Sequence, residues 1–331
     1  MKTYRSLALI IILSLSVNAL FAQNKPSHTD SLMKAGIALT DAGKFAEAVA
    51  IYDEVLKASP DSKPVLYEKA ITLNIMGKHD DAIIILEKLL TSISTPNVYA
   101  ALGDAYDMKG DFDKATSYYT KGISLWPKDR NLWLNLSVSY SRQKKYPQAQ
   151  AAAAEAIKAD PRHARSYQNY AVAAYLQGKN AEALLGLSNY LMFGSNNQSL
   201  GACNVIKSIL YAKPNTNADP VAKLEQETIA GAVTVATAGK TGLAPIDSLV
   251  LQLTASYKAI QSQENQFGSS FFARYFGDFF GAIATTNYMD TYTRFIAVSL
   301  SPQDNIAWLK AHNDDVKAFN IWLNTQKRQT E

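Results

Sequence analysis

Between residues 29 and 195 the apolar side chains recur every three or four positions, interrupted at regular intervals by short polar turns. One stretch carries Leu32, Ala35, Gly36 and Leu39, then Ala48, Tyr52 and Val55. Another carries Tyr99, Leu102, Gly103 and Tyr106, then Ala115, Tyr119 and Gly122; a third carries Trp133, Leu136, Ser137 and Tyr140, then Ala149, Ala153 and Ala156. This spacing places each set on one face of an α-helix and predicts helices in pairs. Turns of related chemistry join the members of a pair: Gly43-Lys44-Phe45, Gly77-Lys78-His79, Gly110-Asp111-Phe112, Lys144-Lys145-Tyr146 and Gly178-Lys179-Asn180. Glycine just past a helix end closes the helix in the left-handed conformation. Lys144 stands where the other turns have glycine, so the fourth turn is expected to be strained. Pro60, Pro127 and Pro161 mark where the second helix of a pair must stop.

Five alanines fix the period. Ala48, Ala82, Ala115, Ala149 and Ala183 follow one another at spacings of 34, 33, 34 and 34 residues. Small residues at Gly36, Ala70, Gly103, Ser137 and Ala171 let the first helix of each pair approach the second. One helix pair cannot bury its apolar face alone, but stacking buries it against the next pair. This pattern resembles the tetratricopeptide repeat (TPR) family, with a large residue, a leucine, a small residue and a tyrosine on helix A. Helix B then shows alanine, an aromatic and alanine, with proline at its end. The second and fifth units fit less well: Leu86 and Leu187 replace the aromatic, and neither unit has its terminal proline. An unrelated helical bundle is the competing reading. The expected fold is therefore all-α: a superhelical solenoid of about five helix pairs, over 29–62, 63–95, 96–129, 130–163 and 164–195, followed by an α-helical C-terminal domain.

Beyond residue 195 the repeat fades. Residues 199–212 place Ile206, Ile209 and Leu210 on one side, as an end helix would, and 196–218 is expected to close the array and link it onward. A second helical domain is expected over 219–331. Asp219-Pro220 is a helix start, with aspartate capping and proline at the first helical position. Pro245 and Pro302 make similar starts, and Gly239-Lys240 suggests a degenerate helix pair over 225–258. Phe271, Phe272, Tyr275, Phe276, Phe279 and Phe280 crowd adjoining helix faces, with Gly277 and Gly281 among them. They read either as the core helix of the second domain or as an aromatic surface for a partner or a homodimer. Trp308, Leu309, Phe319, Trp322 and Leu323 are expected to cover that helix.

The N-terminus bears on where the chain works. Residues 1–22 run from Lys2 and Arg5 through the apolar stretch 7–15 to small residues, the order of a secretory signal peptide. That apolar core is much shorter than the roughly 20 residues a spanning helix needs. Cleavage before Gln23 is expected, leaving 23–28 as a linker; an uncleaved anchor is the alternative. Losing Lys2 and Arg5 lowers the formal net charge of +4 by two. A nearly neutral chain has no electrostatic footprint for nucleic acid. No later stretch is apolar enough to span a bilayer after signal removal. The expectation is an exported protein, periplasmic or envelope-associated in a Gram-negative bacterium. The single cysteine, Cys203, excludes an intramolecular disulfide and reads as a buried small hydrophobe.

Catalytic patterns are weak. Ser31-Leu32-Met33-Lys34, Tyr167-Gln168-Asn169 and Lys240-Thr241-Gly242 match in order the short motifs of penicillin-recognising serine enzymes. Those enzymes need the last motif on a strand beside the serine helix, whereas Ser31 and Tyr167 sit inside repeat helices. Gly239-Lys240-Thr241 echoes a phosphate loop, but Thr234 stands where its earlier glycine should be. His28, His79, His163 and His312 make no paired metal spacing, so no metal or cofactor is expected. The chain reads as non-catalytic.

The resemblance implies a protein or peptide partner held along the helix A faces. It assigns Tyr67, Glu68, Ile71 and Asn74 in the second unit and Asn97, Asp104 and Asp107 in the third. The fourth contributes Asn131, Asn135, Val138 and Arg142; the fifth contributes Arg165, Gln168, Asn169 and Tyr175. Amide side chains can bond a peptide backbone whatever its sequence. With acids in the earlier units and arginines in the later ones, a bound segment is expected to turn its negative part toward units four and five. The terminal-carboxylate clamp of some family members is missing, because Ala100 and Asp104 occupy positions that need lysine and asparagine. The runner-up is a hydrolase or ligand-binding site in the second domain; an acidic pair or histidine cluster in a pocket there would favour it, and a closed aromatic core the scaffold.

Overall fold

The structure, a computed structural model, describes residues 28–194, 199–267 and 273–326. The proposed signal peptide, Phe271 and Phe272 lie outside them. The described residues form α-helices with no strand. Ten make consecutive pairs: α1 (His28–Asp41) with α2 (Phe45–Ala58), α3 (Lys63–Ile75) with α4 (His79–Leu90), and α5 (Pro96–Lys109) with α6 (Phe112–Leu125). Then come α7 (Arg130–Arg142) with α8 (Tyr146–Ala159) and α9 (Ala164–Leu176) with α10 (Asn180–Phe193). Seven more follow: α11 (Ser199–Leu210), α12 (Pro220–Thr237), α13 (Pro245–Gln263), α14 (Asp278–Ala284), α15 (Met289–Ile296), α16 (Pro302–Ala311) and α17 (Asn313–Thr325). A π-helical turn, Ala273–Gly277, runs into α14.

The punctuation read from the sequence operates as expected. Gly43, Gly77, Gly110 and Gly178 take φ between 75° and 88°, and Lys144 takes φ 58°, a left-handed lysine among the described residues. That conformation crowds Cβ against the following carbonyl and costs an L-residue about 1–2 kcal/mol. All five period-setting alanines are fully buried. At Gly36 a Cβ would fall inside the ring of Tyr52, so only glycine admits this helix A to its partner. Ser137 goes further and donates from Oγ to the Ala149 carbonyl at 2.8 Å, fastening α7 to α8. Asp129 and Asp219 cap α7 and α12 through side-chain bonds to backbone amides.

Contacts divide the chain into two compact units, Met1–Ala115 and Thr116–Glu331, with the division inside α6. In the first, Ala48, Tyr52, Val55 and Val65 form a small core with Leu32, Met33, Leu39 and Leu56 packed against it. In the second, one core runs from Ala153 to Phe319 and takes in both late repeats and the C-terminal helices. Ile206, Ile209 and Leu210 of α11, the expected end helix, lie buried within that core. Cys203 is buried there as well, and burial pushes its thiol up.

The aromatic stretch is interior. Tyr275, Phe276, Phe279 and Phe280 are all buried, which corrects their reading as a partner or dimer surface. Phe276 packs on Tyr167 and Tyr170 at ring distances of 6.2 and 5.3 Å, so this stretch covers the fifth repeat. Trp322 lies 5.9 Å from Phe279, and Phe319 6.2 Å from Tyr292, so α17 covers the aromatic layer in turn. Each ring here buries large apolar area, which drives the C-terminal helices onto the repeats.

Candidate functional site

Helix A faces carry the residues assigned to a partner, and the two units differ in their chemistry. In the first unit Tyr67, Glu68, Ile71, Asn74 and Asp104 are half-buried and Asn97 is exposed. Asp107 is only 5% exposed, so it is withdrawn from the surface on which it was expected. Asn74 is also committed, since its Oδ1 takes a 2.6 Å bond from His79 Nδ1 across the turn. Burial, then the neighbouring Glu68 and Asp104, push the Tyr67 phenol up. Burial and the charge of Asp41 raise Glu68. These mutual effects mark an acidic face, and Asp41 is a member the spacing did not assign.

In the second unit Val138, Arg142, Arg165, Gln168 and Asn169 line one hollow of about 440 Å³, together with Ser141 and Val172. Asn169 Nδ2 is buried and has no hydrogen-bond partner among the described residues. Such a donor is costly unless something accepts from it. Asn135 is half-buried, and Tyr175 is exposed. Asn131 is drawn aside: its Oδ1 accepts from the Arg130 guanidinium at 2.9 Å, and that guanidinium pairs with Asp160 at 2.6 Å.

A buried acidic pair was not foreseen. Glu182 on α10 accepts from the Tyr170 hydroxyl at 2.7 Å and from the Gln150 amide. Glu225 on α12 accepts the Ala181 N–H at 2.7 Å and so caps α10, whose own N-cap residue Lys179 makes no side-chain capping bond. Gln226 donates to the Gly178 carbonyl at 2.9 Å, so α12 latches the last repeat turn through two adjacent side chains. Burial, reinforced by the charge of Glu182, pushes Glu225 up to about 9, and burial raises Glu182. The partners of this pair are packing groups and backbone amides, which gives it a structural task. Tyr167, the middle of the serine-enzyme pattern, is fully buried, its hydroxyl 2.9 Å from that of Tyr275. No group of three or more His, Cys, Asp or Glu that could hold a metal exists among the described residues. Nor is any described helix long and apolar enough to cross a membrane.

Comparison with known proteins agrees with the helix pairs. The family model for the Psidin N-terminal TPR repeats region matches residues 38–192. Residues 38–192 thus form a tetratricopeptide-repeat array. It is similar to a TPR repeat-containing protein of Methanocaldococcus jannaschii, 34% identical over 26% of this chain and 27% of that one. It is also similar to the small glutamine-rich tetratricopeptide repeat-containing protein 2 of Saccharomyces cerevisiae, 36% identical over 22% of this chain and 21% of the relative. These matches span about a quarter of each relative's length. Among solved structures, a TPR protein of Thermus thermophilus aligns at 19% identity over 54% of this chain and 97% of its own, with a TM-score of 0.47. An array of this kind is a protein–protein interaction scaffold, and TPR proteins are generally non-catalytic.

Proposed function

We propose that this TPR protein is an exported, non-catalytic scaffold of the cell envelope that holds an extended protein segment on its helix A faces. The observation that carries the reading is the hollow of the second unit, where five residues assigned from the repeat register converge around the unpaired Asn169 amide. A peptide carbonyl would satisfy that donor, and Arg142 and Arg165 would favour an acidic stretch beside it. The acidic face of Glu68 and Asp104 in the first unit would favour a basic stretch. Export rests on the charged, apolar and small-residue order of residues 1–22.

The test is in-cell crosslinking followed by affinity purification of the full protein, compared with an Asn135→Ala, Arg165→Ala double variant. Loss of the crosslinked partner is the expected result; undiminished crosslinking in a folded double variant refutes the groove. Mass analysis of the purified protein should give an N-terminus at Gln23, and retention of Met1 would refute export with cleavage.

A further inference from the structure

A second cavity lies away from the helix A hollow, where α10 meets the C-terminal helices, with a volume of about 500 Å³. Small-molecule sites span roughly 300–1,000 Å³ and are mostly apolar, with polar groups at a few points. Phe193, Phe295, Leu309, Val316, Phe319 and Leu323 form the apolar lining. Phe295 shows why the cavity is more than a packing gap. On α15, Tyr292 and Ile296 are buried in the core, while Phe295 stays 43% exposed on the cavity side. The Asn320, Asn324 and Gln326 amides also line it.

Arg162 is the charged side chain in its lining. Arg162 and Phe193 line both this cavity and an adjoining polar hollow of about 750 Å³ that also holds Arg165 and His163. By contrast, Arg130 pairs with Asp160, and Arg294 with Asp247 and Asp290. Arg162 and Arg165 have no carboxylate partner among the described residues. His163 bonds Ser166 Oγ at 2.9 Å, and burial together with Arg130 holds its pKa down.

We propose that this cavity binds a single-chain carboxylate amphiphile of the fatty-acid class, with its tail among Phe295, Val316 and Leu323 and its carboxylate on Arg162 and Arg165. A mostly apolar lining with Arg162 as its charged member, beside a hollow that holds Arg165, matches a ligand with one tail and one anionic head. The tail pocket lies outside the partner groove, since Val316, Phe295 and Leu323 are no part of the helix A faces; Arg165 is the residue the two sites share.

Titration calorimetry of the full-length protein with decanoate, dodecanoate and tetradecanoate tests it. Affinity should rise about fourfold per added methylene while the cavity still has room. Val316→Trp should abolish binding by filling the space. Leu309→Trp serves as a second filling variant, and circular dichroism confirms that each remains folded. Arg162→Glu should weaken dodecanoate at least tenfold and leave dodecanol unchanged, because only the head group meets the arginine. Three outcomes overturn the proposal: no binding at any chain length, binding indifferent to both filled cavities, or equal loss of dodecanoate and dodecanol on Arg162→Glu. Capture of a peptide with an apolar C-terminus but no fatty acid also overturns it. Partner crosslinking at the groove should survive Val316→Trp, so failure here is distinguishable from failure of the scaffold reading.

Discussion

The first unit and the second are built from the same repeat but held together differently. In the first, Tyr52 packs with Ala48, Val55 and Val65, and the residues against them belong to the same two neighbouring pairs. In the second, Tyr167 of the fifth repeat touches Phe276 and shares a 2.9 Å hydroxyl contact with Tyr275, more than a hundred residues away. Ser188 and Tyr257 make a similar long-range bond at 2.7 Å. Stacked repeats that touch only their neighbours lose structure piece by piece. A core joined across distant segments melts as a block. The same sequence grammar thus yields a modular unit and a cooperative one, depending on whether later helices return to cover the repeat.

Four substitutions sharpen that contrast. The largest effect is expected from Phe276→Ala, which empties a fully buried site between the fifth repeat and the aromatic stretch. It should cost about 3–5 kcal/mol. Hydrogen exchange should show α9 to α17 losing protection together while α1 to α4 keep theirs; loss confined to a few residues around 276 would sink the cooperative picture. Next is Gly36→Val, whose Cβ collides with Tyr52. Denaturant melts should show about 1–3 kcal/mol lost, with exchange rising only in α1 and α2.

Glu225→Gln follows. The folded state holds the Glu225 proton up to about 9, while the unfolded chain releases it near a carboxylate's ordinary 4.5. Stability therefore falls as pH rises through that window, by at most about 1.4 kcal/mol per pH unit. Glutamine keeps an acceptor for the Ala181 N–H, so the variant should show a shallower decline between pH 6 and 9 in chemical denaturation. An unchanged slope would mean that the latch carries no buried acid. The smallest effect belongs to Lys144→Gly. Relief of the left-handed lysine, set against the greater freedom of glycine in the unfolded chain, should raise stability by about 0.5–1 kcal/mol. No gain in melts would place the strain elsewhere.

One repeat position separates what could be read from what could not. Glu47, Asp81 and Glu182 each stand immediately before a period-setting alanine, in the first turn of helix B. Acids there look like ordinary complements to the helix dipole. Glu47 and Asp81 are exposed, whereas Glu182 is 2% exposed, because Tyr170, Gln150 and the arriving α12 close over it. Nothing local distinguishes the three. Asp107 shows the same gap on the partner face: the register assigned it to the surface, and packing withdrew it.

The sequence by itself determined the helix pairs, their period and their turns, since Ala48 to Ala183, the left-handed glycines and Lys144 act through backbone geometry and nearest-neighbour packing. Five residues of the second unit's hollow were legible because the family resemblance assigns them to the helix A faces of α7 and α9. Only the tertiary structure decided that Tyr275, Phe276, Phe279 and Phe280 lie inside, that Glu225 caps a helix from another segment, and that a cavity lined by Arg162 opens beside α10. Those outcomes depend on which distant segment arrives to bury each face, and a periodic pattern names the face without naming what covers it.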